Sequence, residues 1–467
     1  MLWLLACAPS EPPPERARVA EAAGLGLLAR APLSPIEGDA LPYEGYQVRP
    51  VSLQIYADFR VSGALWLPDA PNGRAVLVAH GHFGEGKSSG ESQGPAHAFA
   101  AAGYTVLALD TPGVEEGDLP GRRIHFEAGA HGRALLASAG TSAMAVQLET
   151  LQAGLDLLEA RGHEQIVVTG ASGGSVQALY LLFVDPRPAG AVLASFVPMP
   201  REARAAGCPC DVLPGWPGPD PTLLAAIDKP TLWLSELPQE RPEGLPRSAD
   251  FQVIEGPHGY ERPMIDAAVA WVDDRIGGAG KVPTQLPHTP STALASADVG
   301  TATFADLLTR STASPWLPRP RTGGGWTAEC SGEGRTVLTL GAEAHDLAAL
   351  SDFRVCPLTI VPDAIGVTEG IARGRPYADV LAGTIADAAK ARKADGVYAV
   401  RGWGIPARGS GLPFVVRDPL TLATIEESDP TWIHVPGAWW SGDPSAGALA
   451  TGPDPAALAG ALVGPAP

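Results

Sequence analysis

Five continuous apolar runs constrain what this chain can fold into more than any other feature: RAVLVAHG (74–81), YTVLALD (104–110), IVVTG (166–170), AVLASFVP (191–198) and PTLWLSE (230–236). Apolar side chains that do not alternate with polar ones fit strands covered on both faces, as in a parallel sheet. Helix-like segments separate the runs. QGPAHAFAAAG lies between the first two, and GTSAMAVQLETLQAGLDLLEARG (140–162) has apolar spacings of three and four. Upstream, YEGYQVRPVSLQIYADFRVSGALWLP (43–68) reads as two strands around a turn near Ala57-Asp58. Downstream, FQVIEGPHGY (251–260) is a last strand with its loop, and MIDAAVAWVDDRI a closing helix. The alternation predicts an α/β fold, a doubly wound and mostly parallel sheet.

At 467 residues the chain suits two domains. A stretch rich in Gly, Pro, Ser and Thr, containing TQLPHTPSTALASADVG, marks a boundary. The expected division is an N-terminal tail (1–40), a catalytic α/β domain (41–276), a linker (277–320) and a smaller second α/β domain (321–467). The second half echoes the first. GRTVLTLGAEA (334–344) parallels GRAVLVAHGHF (73–83), and YADVLAGTIADAAKARKADG is placed like the helix of 140–162. VYAVRGWGIP (397–406) stands where IVVTGASGGS stands, and DPTWIHV (429–435) resembles KPTLWLS (229–235). Two readings account for this, an old duplication or the pattern any two doubly wound domains share. Gly341-Ala342 replaces His80-Gly81 and Gly404 replaces the serine, so a second copy would be catalytically silent.

The net charge of −18 argues against nucleic acid, which is bound largely by basic side chains neutralising phosphates. The five cysteines show no metal-ligand spacing, and no metal is expected. Cys330 and Cys356 are candidates to pair in an oxidising compartment. No apolar run is long enough for a transmembrane helix. Leu4-Leu5-Ala6-Cys7 resembles a bacterial lipobox with Cys7 as the lipid-bearing residue, and Ser10 to Glu15 would be its tether. Only six residues precede Cys7, none of them basic, which is short of a secretory signal. Lipoprotein of the cell envelope and cytoplasmic protein therefore both stand as readings.

The stretch GASGGS (170–175) carries the chemistry. A serine hydroxyl is a weak nucleophile until a base takes its proton. A sharp turn from strand to helix lifts Ser172 above the sheet, and side chains two residues either side would collide, hence Gly170 and Gly174. The helix N-terminus presents free N–H groups, and that of Gly173 can meet an oxyanion. A second donor is expected from HGHFGEGK (80–87), where Gly81 turns the backbone; the His82 N–H is the preferred donor and that of Phe83 the alternative. The imidazoles of His80 and His82 are read as structural.

His258, in the loop after the last strand, follows the serine in the order Ser, acid, His. The acid belongs in the loop after PTLWLSE, where Glu236, Glu240 and Glu243 are available. Glu236 ends the strand itself; Glu240, deeper in the loop, is preferred.

These residues resemble the bacterial acetyl-esterase and dienelactone-hydrolase-like branch of the α/β-hydrolase superfamily, over residues 45–275. The carriers are HGHFG, YTVLALDTPG, HGRALLASAGTSAMAVQLETLQAGLDLLEARG, VTGASGGSVQAL with Gln177, GCPC and PHGYERPMIDAAVAWV. The resemblance implies that Cys208 and Cys210 shape the pocket. It also implies an acidic residue where this chain has Gln239, beside Glu240. The implied activity is carboxylic-ester hydrolysis of a small molecule, with short acyl groups, through an acyl-enzyme on Ser172 and without a cofactor. In larger relatives a degenerate second hydrolase-like domain follows. A hydrolase-fold scaffold without activity and a serine peptidase of related fold are the alternatives.

Overall fold

The computed structural model describes residues 14–119, 121–125, 132–133, 136, 141–196, 213, 221–278, 280–296, 298–304, 306–307, 325–333, 336–340, 354–361, 377–394, 396–400, 414–417 and 448–450. The first sheet has ten strands: β1 (Pro35–Glu37), β2 (Leu41–Tyr43), β3 (Tyr46–Tyr56), β4 (Phe59–Pro68), β5 (Ala75–Ala79), β6 (Thr105–Leu109), β7 (Ile166–Ala171), β8 (Pro188–Ala194), β9 (Thr231–Ser235) and β10 (Asp250–Val253). Their order is β1-β3-β4-β6-β5-β7-β8-β9-β10, with β2 also paired to β3. From β6 to β10 every pairing is parallel. β3 and β4 form an antiparallel hairpin, turned at Asp58 with φ 59°, a conformation aspartate tolerates better than most residues.

All five residues of β5, β6 and β9 are buried, as continuous apolar runs require in a strand covered on both sides. On one face the helix Ala143–Ala160 and the helix Gly173–Val184 pack with β7; on the other lie the helices Gly90–Ala101 and Arg262–Val272. Ser142 starts the helix Ala143–Ala160, its hydroxyl accepting from Ala145 N at 3.1 Å, and Ser89 does the same for Gly90–Ala101. This is a doubly wound, mostly parallel α/β sheet with an antiparallel start.

Two segments set apart in sequence as tail and linker pack against this body. The helix Pro14–Ala23 begins inside the expected tether and buries Val19 and Ala23 completely. Gly26 N then donates to the buried Glu149 at 2.8 Å. The described residues between 289 and 307 form the second such segment. The Thr289 hydroxyl meets His97 Nε2 at 3.2 Å, the buried Arg122 donates to Ala302 O at 2.6 Å and Val299 O at 2.8 Å, and Phe304 stacks on Phe59 at 5.4 Å. Pro, Ser and Thr mark a lack of regular structure, not a lack of packing. Composition therefore missed these contacts.

A second sheet contains β11 (Gly325–Ala328), β12 (Thr336–Leu340), β13 (Arg354–Val361), β14 (Gly396–Val400), β15 (Phe414–Arg417) and β16 (Ala448–Ala450), in the order β11-β13-β12-β14-β15-β16. Only β11–β13 is antiparallel. The sequence of senses and crossovers is that of β4-β6-β5-β7-β8-β9. The echo between GRAVLVAHG and GRTVLTLG thus pairs strands with the same place in two sheets. The place of β9 is taken by β16; DPTWIHV (429–435), Gly341-Ala342 and Gly404 lie outside the described residues. Cys330 and Cys356 form a disulfide joining the end of β11 to β13.

Phe304 tests the packing of the supposed linker. Phe304→Ala should lower unfolding stability by about 3–5 kcal/mol in urea titration, as loss of a fully buried aromatic does; a change below about 0.5 kcal/mol, the surface value, would contradict it.

Candidate active site

β7 ends at Ala171 and the helix Gly173–Val184 starts two residues later, with Ser172 at the corner at φ 55° and ψ −119°. A non-glycine residue in this region is strained, and such strain persists where the surrounding structure enforces it. Here the enforcement is visible. A Cβ on Gly174 would lie 2.3 Å from Ala79 O, and one on Gly170 would lie 2.6 Å from Gly174 C and 2.7 Å from Ala79 O. Ser172 N donates to Ala194 O at 3.0 Å, and Ser175 Oγ donates to Ser172 O at 2.5 Å. Ser172 is half-buried, whereas Gly173 and Ser175 are buried. Gly173 supplies the first N–H of the helix.

The loop after β5 closes against this corner. A Cβ on Gly81 would lie 2.5 Å from Ala171 O. Gln177 Nε2, from the helix beneath, donates to His80 O at 2.7 Å. His80 is buried and its Nε2 meets Phe83 O at 2.8 Å, so that nitrogen carries the proton. Burial, with His125 nearby, pushes the His80 pKa down to about 3. The ring is a neutral brace. His82 and Phe83 stand at the rim of an open cleft of about 510 Å³, also lined by Val114, Glu115, Asp118 and His125.

Beyond the cleft rim the chain is fixed by a buried ionic cluster that sequence reading missed. The Lys87 side chain is fully buried; its Nζ lies 2.9 Å from Asp110 Oδ2 and 2.7 Å from Glu116 Oε2. Asp110 also accepts from Lys87 N and from Ser62 Oγ, each at 2.5 Å. Burial works against the ammonium, but the Asp110 and Glu116 carboxylates outweigh it and hold its pKa above the usual lysine value. Glu116 Oε1 in turn accepts from Ser296 N at 2.8 Å. The signal available in sequence was a lysine inside a glycine-serine loop and an aspartate at the end of a buried strand.

His258 lies after β10 with its side chain half exposed. Its Nδ1 is 2.6 Å from Glu236 Oε1. The carboxylate accepts, so Nδ1 carries the proton and the lone pair is left on Nε2. Glu236 is the first residue after β9, and its carboxyl is buried. Glu240, the preferred acid from sequence, does not fill this place, and it and Glu243 are solvent-exposed. The physical reason is the path of the chain. Ser235 Oγ donates to Leu237 O at 2.9 Å and receives Leu237 N and Gln239 Nε2, a tight turn that leaves Glu236 directed at the histidine and carries Glu240 past it. Glu236 is one methylene longer than aspartate, which lets it reach from the strand end.

Ser172 and His258 stand on neighbouring loops at one edge of the sheet. The residue after His258 is bonded to the residue after Ala194, and Ala194 O is the acceptor for Ser172 N. Among the described residues no group of three His, Cys, Asp or Glu side chains could hold a metal ion, and no helix is long and apolar enough to cross a membrane. Cys7, Cys208 and Cys210 lie outside the described residues.

A scan against protein-family models finds no match, and a search of curated proteins finds none either. Solved structures similar over part of the chain include a methylesterase at 18% identity, covering 63% of this chain and 72% of that one with a TM-score of 0.49. They also include an acetyl xylan esterase from Paenibacillus sp. R4 at 14% identity, covering 56% and 94% with a TM-score of 0.39. A glucuronoyl esterase from Solibacter usitatus matches at 13% identity, covering 55% and 92% with a TM-score of 0.39.

The depressed His80 pKa has a consequence for stability. The unfolded ring takes a proton near pH 6.5, whereas the folded one resists until about 3. Its contribution is therefore present above pH 6.5 and lost as pH falls through that window, by up to about 1.4 kcal/mol per pH unit. The urea-unfolding free energy of His80→Asn should fall less steeply than that of the parent between pH 6.5 and 4.5; equal slopes would contradict the neutral brace.

Proposed function

We propose that this chain is a serine hydrolase that cleaves carboxylic esters through an acyl-enzyme, with Ser172 as nucleophile, His258 as base and Glu236 as the orienting acid. One observation carries the reading: a serine forced into a left-handed conformation at a strand–helix corner, on the same sheet edge as a histidine whose Nδ1–H is held by a buried carboxylate.

Each group has one task. His258 Nε2 takes the proton of Ser172 as the hydroxyl attacks the ester carbonyl. The oxyanion is met by N–H groups of Gly173 and of the loop containing His82, with no reorganisation needed at that moment. His258 then protonates the leaving alcohol. In the second half-reaction it activates water, which attacks the acyl-serine, and the carboxylic acid leaves with Ser172 restored. Glu236 keeps the proton on Nδ1 throughout and stabilises the imidazolium.

The contact of the Glu236 carboxylate with His258 Nδ1 supports this reading over a hydrolase-fold scaffold without activity. Short acyl groups, a small-molecule ester and a silent second domain remain parts of the proposal, supported by the sequence resemblance and, for the last, by the repeated strand order. The Cys330–Cys356 disulfide favours an oxidising compartment, which suits the reading of Cys7 as a lipid anchor at the cell envelope.

Turnover of p-nitrophenyl acetate tests the roles. Ser172→Ala and His258→Ala should each lower kcat by about 10⁴ or more, and Glu236→Ala by about 10²–10⁴. Glu240→Ala should stay within about twofold of the parent. A parent that hydrolyses peptide amides faster than esters would favour the peptidase, and retained activity in Ser172→Ala would overturn the mechanism.

A further inference from the structure

Ser195 is the first residue after β8, one position beyond the acceptor of the Ser172 N–H. It is 3% exposed and sits at φ 47°, a strained non-glycine residue directly after its strand, as Ser172 is after β7. Its hydroxyl makes two bonds to one residue. Ser195 Oγ donates to Gly259 O at 2.5 Å and accepts from Gly259 N at 3.2 Å. Gly259 is covalently joined to His258. A single buried hydroxyl thus holds both backbone polar groups of the residue beside the proposed base, from a strand already bonded to the proposed nucleophile.

A loop glycine has few other restraints. Gly259 has φ 153°, a conformation side-chain-bearing residues rarely adopt, and no side chain of its own to pack. The following residue is fixed from β7. Thr169 Oγ1 gives its one proton to Val192 O at 3.0 Å, so Tyr260 must donate its phenolic proton to Thr169 across 2.8 Å. Tyr260 anchors the far side of the loop. On the near side, the Glu236 bond orients the imidazole ring, but that ring is half exposed and hinges on its own backbone. The backbone N–H and C=O of Gly259, next to His258, are held by Ser195.

We infer that Ser195 is a positioning residue for the hydrolysis proposed above: its hydroxyl fixes the His258 backbone relative to Ser172, so that the imidazole meets the nucleophile when the ester is bound. It touches neither substrate nor reacting atoms. This rests on the serine-hydrolase reading and deepens it. A misplacement of about 1 Å can cost a hundredfold in rate, so a hydroxyl that holds this loop should act on kcat and leave substrate binding alone.

Two full-length variants separate the hydroxyl from the strained backbone. Ser195→Ala removes the bonds and keeps a side chain at φ 47°; Ser195→Gly removes the bonds and relieves the strain. With p-nitrophenyl acetate, and with active protein counted by the acyl-enzyme burst, both should lower kcat at least tenfold with KM within twofold of the parent. The thermal midpoint of Ser195→Gly should stay within a few degrees, which also covers the case in which Ser195→Ala folds poorly. A Gly variant with the parent's kcat, or a fall in activity that only follows the folded fraction, would overturn the inference while leaving ester hydrolysis in place. A parent without turnover would overturn the serine-hydrolase reading itself, and this inference with it.

Discussion

The corner at Ser172 works because three backbone segments approach more closely than any side chain would allow. The carbonyl oxygen of Ala79, at the end of β5, lies within 2.7 Å of where a Cβ on Gly170 or Gly174 would stand, and that of Ala171 lies 2.5 Å from a Cβ on Gly81. Bare glycines at these positions let the loop after β5 lie on the turn after β7. That contact brings the loop containing His82 against the corner that carries Ser172. It also forces Ser172 to φ 55°, and the cost is offset by the burial of β5, β7 and the helix Gly173–Val184. Everything proposed about the chemistry depends on this approach.

Around it the molecule uses buried polar groups as fasteners. Lys87, Asp110 and Glu116 tie the loop after β5 to the wall of the cleft, and Glu116 reaches on to Ser296. His97 is a second fastener. It meets Tyr46 at 2.8 Å and Thr289 at 3.2 Å, and burial pushes its pKa down to about 4. Both connect the first sheet to the later segment, through Ser296 and Thr289. Groups buried this deeply are costly unless each has its partner, so the described residues of the later segment complete the packing of the first body.

Much of this was legible from local pattern. Continuous apolar runs gave the buried strands, and the glycine spacing around Ser172 gave the corner, because both follow from rules that act within a few residues. The position of His258 was legible for the same reason, as a histidine in the loop after the last strand. The acid was not. Glu236 and Glu240 lie in one loop, and the choice depends on a turn closed by the Ser235 hydroxyl and Gln239, which no periodicity encodes. The burial of Phe304 and of Val19 and Ala23 was hidden too, because their partners are distant in sequence. Ser195 gave no signal at all: its role exists only where β8 ends beside the loop of Gly259.

The claim at the centre is that the hydroxyl of Ser172 is activated by His258 in the folded protein. The most direct measurement is covalent labelling with a fluorophosphonate, followed by peptide mapping of the adduct. The account predicts a stoichiometric phosphonyl group on Ser172 of the parent and none on the same timescale in His258→Ala. Labelling at another residue, or equal labelling of Ser172 in His258→Ala, would contradict it.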